Sequence, residues 1–126
     1  MLSIAQFGLL TLLSLFLLLH FIILIKIIPY NLVWGGRLKT EKEMYRFEIF
    51  SILLNSLFVF VVLVQANCLI IDMPKKIITY ALWLMTGLFL LNTLGNAISK
   101  NKLEQRLFTP VTILLTIFSL LLALSN

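Results

Sequence analysis

Residues 3–28, SIAQFGLLTLLSLFLLLHFIILIKII, hold a single charged side chain, Lys26, near their end. Drawn as a helix at about 1.5 Å per residue the stretch is roughly 39 Å long, longer than a bilayer hydrocarbon core of about 30 Å. It is therefore expected to cross a membrane with tilt or projection, and Pro29 is expected to close it, since proline lacks a donor and biases the preceding residue away from helix. Tyr30 and Trp34 then fall where interfacial aromatic belts form, and Gly35-Gly36 supplies a turn.

Three further apolar runs follow, at about 47–71, 75–98 and 108–125, with the charges gathered between them. Of 126 residues, 61% are hydrophobic and 12% charged, against roughly 25% charged in a water-soluble domain. With a mean hydropathy of +1.09, this pattern excludes a soluble globule. The expected fold is all-α: a polytopic integral membrane protein, four transmembrane helices in an up-down antiparallel bundle forming one domain, 1–126. No Lys or Arg precedes Lys26, and the first run exceeds the ~7–15 residues of a signal-peptide core. That segment is expected to stay in the mature protein.

Local signals refine the boundaries. Thr40-Glu41-Lys42-Glu43 is a capping-box pattern that starts the second helix outside the membrane, with Glu41 and Glu43 favourably placed against its dipole. Asp72-Met73-Pro74 ends that helix and opens the third, which predicts a tight antiparallel hairpin. Thr109-Pro110 reads as cap and first position of the fourth helix. At about 24 Å this helix is short, so the residues before Pro110 must finish the crossing, or the bilayer must thin.

The net charge of +5 is read as topological rather than as a nucleic-acid signal, because no soluble module is present to read a groove. Arg37, Lys39, Lys42, Arg46, Lys100, Lys102 and Arg106 follow helices one and three, whereas Lys75 and Lys76 lie at the other side. Loops 29–46 and 99–107 are thus expected in the cytoplasm and both termini outside, in a plasma or inner membrane. At an offset of sixty, Gly35, Lys42 and Arg46 fall on Gly95, Lys102 and Arg106. Either a tandem duplication or the shared constraints of two basic loops accounts for this echo.

Depth gives the functional expectation. Given that topology, His20, Glu48, Ser51, Asn55, Asn92, Asn96, Thr109 and Thr112 all fall in the cytoplasmic half of the membrane, while Leu9, Leu12, Val61, Val62, Met85 and Ile117 make the outer half apolar. Turned inward, His20, Glu48, Ser51, Asn55, Asn92, Asn96 and Thr112 form a polar cavity or a polar core. His20, the only histidine, is either a proton relay or ligand, or a hydrogen-bonded structural residue. Glu48 reads at this stage as an interfacial carboxylate, solvated or paired with Arg46. Arg37, Arg46 and Arg106 are candidates for holding a lipid headgroup.

On helix four, Thr109, Thr112, Thr116, Ser119 and Ala123 share one face, as do Asn92, Gly95, Asn96 and Ser99 on helix three. Small-residue faces let backbones approach in lipid, either within one chain or between two. A homo-oligomer, dimer favoured, is expected through the Thr109, Thr112, Thr116, Ser119 face or through Gly95 and Ser99, with membrane lipids as the other partner.

Cys68 has no second cysteine, and no metal, cofactor or enzyme signature occurs, so no catalytic residue is assigned. Cys68 itself reads as a small buried hydrophobe. The four-span layout resembles small multidrug transporters, whose membrane-embedded glutamate in the first helix has no counterpart in residues 3–28; no family is assigned. Three functions remain: a transport or channel-type protein or its accessory subunit, a non-catalytic scaffold or partner-binding protein, and a membrane enzyme acting on lipid with His20 and Glu48 as acid and base.

Overall fold

A computed structural model describes residues 3–27, 39–99, 102 and 104–126. Four helices account for most of them: α1 (Ile4–Leu24), α2 (Glu41–Gln65), α3 (Lys75–Ala97) and α4 (Thr109–Ser125), with a π-helical turn at Glu104–Phe108 leading into α4. The described residues contain no strand. All four helices are long and apolar enough to cross a membrane, the last when counted from Gln105. Pro29, Tyr30, Trp34, Gly35, Gly36, Arg37 and Lys100 lie outside the described residues.

The helix ends differ from the sequence expectation for identifiable reasons. α1 stops before Pro29 is reached, because Lys26 adopts a left-handed φ of 68°. Its amide bonds Ile23 O and the next amide bonds Ile22 O, a Schellman motif that satisfies the last carbonyls. α2 ends the same way well short of residue 71. Asn67 takes φ 60°, its amide bonds Val64 O and the Cys68 amide bonds Leu63 O. Asparagine tolerates this conformation, so the stop is physically reasonable, yet the continuous apolar run hid it. Cys68 consequently lies beyond the helix and is exposed, not buried.

At the starts, Thr40 Oγ1 accepts from the Glu43 amide, the forward half of the expected capping box; the return bond from the Glu43 carboxylate to the Thr40 amide is not formed. Ser3 and Gln6 make a full reciprocal capping box on α1, legible as S-x-x-Q in the sequence. Thr109, in contrast, is not a cap: the chain is already helical at Phe108. The π-helical turn supplies the missing length, extending the apolar span to 21 residues, Gln105–Ser125, about 31 Å at helical rise.

The helices form a ring. α1 packs along α2 and α4, α3 packs most extensively along α4, and α2 with α3 is the sparsest of the four neighbouring pairs, so the expected tight α2–α3 hairpin is loose. Side-chain bonds register the pairs: Gln6 Nε2 donates to Gln65 Oε1 at 2.7 Å, and Asn126 Nδ2 donates to Thr79 Oγ1 at 2.7 Å. Leu9, Leu13, Val62, Leu82, Met85 and Leu115 form the closed part of the core. There α1 and α4 approach closely, because a Cβ built on Gly8 would stand 2.4 Å from the Phe118 ring.

The small-residue stripe of α4 faces this interior. Thr112, Ser119 and Ala123 are buried, and Thr116 and Ser119 return their hydroxyl protons to carbonyls one turn back. Part of the small-residue stripe is therefore turned into the bundle of one chain, while Thr109 and Thr116 are partly buried. Outside, large apolar side chains such as Phe7, Leu15, Phe50, Leu53, Leu84 and Leu124 stand exposed, far more apolar surface than a soluble monomer presents.

Candidate functional site

His20 sits one turn before the end of α1, and Glu48 lies two turns into α2. Pairing of the two helices brings the imidazole Nδ1 to 2.5 Å from Glu48 Oε2. Glu48 is fully buried and the His20 side chain 16% exposed. Ile23 and Met44, both fully buried, form an apolar plug beside them with Leu19, Leu24 and Phe108. The interfacial, solvated carboxylate expected at position 48 is thus replaced by an interior one. Burial makes the geometry costly to disturb, since a charged or polar group there depends on its hydrogen bonds. With Glu48 as carboxylate, Nδ1 is the ring nitrogen that donates in this bond.

The pair borders a cavity of about 760 Å³, within the range of small-molecule sites. Ser51 and Asn55 continue the lining along α2, Asn92 and Asn96 supply it from α3, and Thr112 from α4. The structure therefore brings His20, Glu48, Ser51, Asn55, Asn92, Asn96 and Thr112 around one space, with Gly95 and Ser99 of the second small-residue face also on its wall. It does not bring in the arginines: Arg46 and Arg106 are exposed and absent from the lining among the described residues, and Arg37 lies outside those residues.

Individual polar groups differ in what they can offer. Asn55 Nδ2 donates to Ser51 O at 2.8 Å, and Thr112 Oγ1 donates to Phe108 O at 2.9 Å with Thr109 O at 3.1 Å. Those protons are committed to their own helices. The amides of Asn92 and Asn96 make no side-chain hydrogen bond among the described residues, leaving donors and acceptors for a guest.

Besides Phe50, four phenylalanines stand on the wall, and none of the five was singled out from the sequence. Phe58 and Phe89 join α2 to α3 edge-to-face at 5.3 Å, and Phe16 and Phe108 join α1 to α4 at 6.0 Å. Each lies three or four residues from a polar lining residue, Phe16 by His20, Phe58 by Asn55, Phe89 by Asn92 and Phe108 by Thr112. That helical spacing is the signal that could have found them. The lining thus combines aromatic rings with hydrogen-bonding side chains. Among the described residues no group of three His, Cys, Asp or Glu side chains could hold a metal ion. Comparison of the chain with protein families, with curated proteins and with solved structures finds no match.

Proposed function

We propose that the chain is a small integral membrane protein of the transport or channel type, or an accessory subunit of one, that binds a small solute in the His20–Glu48 cavity. Its four helices cross the bilayer up and down, with both termini outside and the cavity in the cytoplasmic half. The observation that carries this reading is the convergence of seven polar side chains from all four helices on one space beside a buried carboxylate–imidazole pair. Polar groups at membrane depth are costly unless they face one another or a cavity, and a bundle needing them only as adhesive has no reason to leave 760 Å³ between them.

The exposed apolar side chains around the bundle support the membrane setting. The basic residues after α1 and α3, including Lys42, Arg46 and Arg106, support the orientation. Reporter fusions at each connection test that orientation directly.

The functional test uses proteoliposomes on a solid-supported membrane, challenged with panels of small amines, carboxylates, amides and monovalent cations. One class should evoke a current that Asn92→Leu and Asn96→Leu reduce at least about tenfold while the protein stays folded. If no class evokes a current or binds, and the two variants alter only assembly, the scaffold reading takes its place.

A further inference from the structure

The cavity is walled unevenly. Its exposed lining residues, Phe50, Leu91, Asn92, Gly95 and Ile98, all belong to α2 or to α3 and its C-cap, whereas every lining residue from α1 and α4 is buried or partly buried. Phe50 is 61% exposed and Leu91 64%. α2 and α3 are also the neighbouring helices that pack least along each other, meeting through the Phe58–Phe89 ring pair. In a bilayer, apolar side chains flanking such a seam face acyl chains rather than water.

Building on the solute-binding reading above, we infer that the ligand is a single-chain amphiphile drawn from the lipid phase. Its polar head sits against Asn92, Asn96 and the His20–Glu48 pair, and its chain leaves between Phe50 and Leu91. The head fits because the two asparagine amides have unused hydrogen-bonding capacity among the described residues, which hydrocarbon cannot satisfy and a polar head can. The chain fits because the seam joins this polar interior to an apolar exterior without crossing a charged side chain: of the exposed lining residues, none is ionisable. A freely water-soluble solute gains nothing from that lateral route.

The test is photolabelling in proteoliposomes with palmitic acid, palmitamide and hexadecylamine, each carrying a diazirine on the part of the chain nearest the head. At least one should label the Phe50 and Leu91 peptides saturably, above the lipid-facing controls Leu15 and Ile117. Gly95→Leu should lower that labelling about tenfold by filling the cavity, since a Cβ at Gly95 meets nothing within 4 Å. Asn92→Leu should lower it similarly by removing a partner of the head, and circular dichroism and monodispersity report folding for both variants.

Labelling equal to that at the control positions, or unchanged in well-folded variants, overturns the amphiphile. If short acetate, acetamide or ethylamine then still evokes Asn92-dependent currents, the solute-binding reading stands without it; if they do not, both fall. Cross-linking of Leu91→Cys between two chains, with no labelling, means that a second copy covers the seam and likewise overturns the inference.

Discussion

The two halves of the bundle use side chains in opposite ways. Toward the C-terminal ends of α2 and α4, Leu9, Val62, Leu82 and Met85 interlock at essentially zero exposure. Toward the other end the helices keep a cavity between them, and the polar side chains that line it come from every helix. In the proposed membrane setting lipid offers no hydrophobic force to draw helices together, so packing and hydrogen bonds would hold such a bundle. One half supplies the first in bulk, which leaves the other free to remain open.

The largest expected effect follows from that division. Leu82→Ala should destabilise the fold by about 2–5 kcal/mol through lost contacts and a new void, measured by steric trapping in bicelles. Asn92→Ala, in the open half and without a side-chain hydrogen bond among the described residues to lose, should change stability by less than about 0.5 kcal/mol. An equal cost for the two would mean that the amides are packed, and the contrast would disappear.

Glu48→Ala comes next. It leaves the inward-facing imidazole nitrogen without its acceptor, at a cost of about 1–3 kcal/mol. Glu48→Gln, which keeps an acceptor oxygen, should recover part of this. If both variants are as stable as the parent by the same assay, the pair is not holding α1 to α2.

A glycine pair sharpens the comparison further. Gly8→Ala drives a methyl into the Phe118 ring and should cost about 1 kcal/mol, at the low end of overpacking. Gly95→Ala meets nothing within 4 Å and should change stability by less than about 0.5 kcal/mol. Thermal unfolding in detergent distinguishes the two; the reverse ranking would misplace the open half.

The smallest expected effect lies at the surface. Lys26 Nζ donates to Glu41 Oε1 at 2.7 Å, and that hydrogen bond holds its pKa above the ordinary 10.5. A raised folded-state pKa favours the folded chain below the unfolded value, and the contribution fades as pH rises through the folded one. Glu41→Gln should weaken this slight alkaline dependence in a pH-resolved stability scan, Tyr45 being a lesser cause of the same shift.

Much of this was legible in the sequence, and the misses share a cause. Apolar run length marked four helices, and Thr40 and Pro110 marked two of their starts. Helix ends at Lys26 and Asn67 were missed because a left-handed residue inside an apolar run leaves no compositional trace when it is not glycine. The polar lining was found from depth along each helix, a one-dimensional quantity. The His20–Glu48 bond was not, since it depends on which faces of α1 and α2 meet. The phenylalanines were passed over because aromatic residues in an apolar helix carry no contrast with their neighbours, although their spacing from polar residues was there to be read.

The hairpin of α1 and α2 is fastened at three levels by Gln6–Gln65, His20–Glu48 and Lys26–Glu41, partners whose numbers fall on one helix as they rise on the other. Such rungs predict that the two helices recognise each other through their side chains. Two separately translated pieces, divided between residues 27 and 39, should therefore find one another in the bilayer and rebuild the same hairpin.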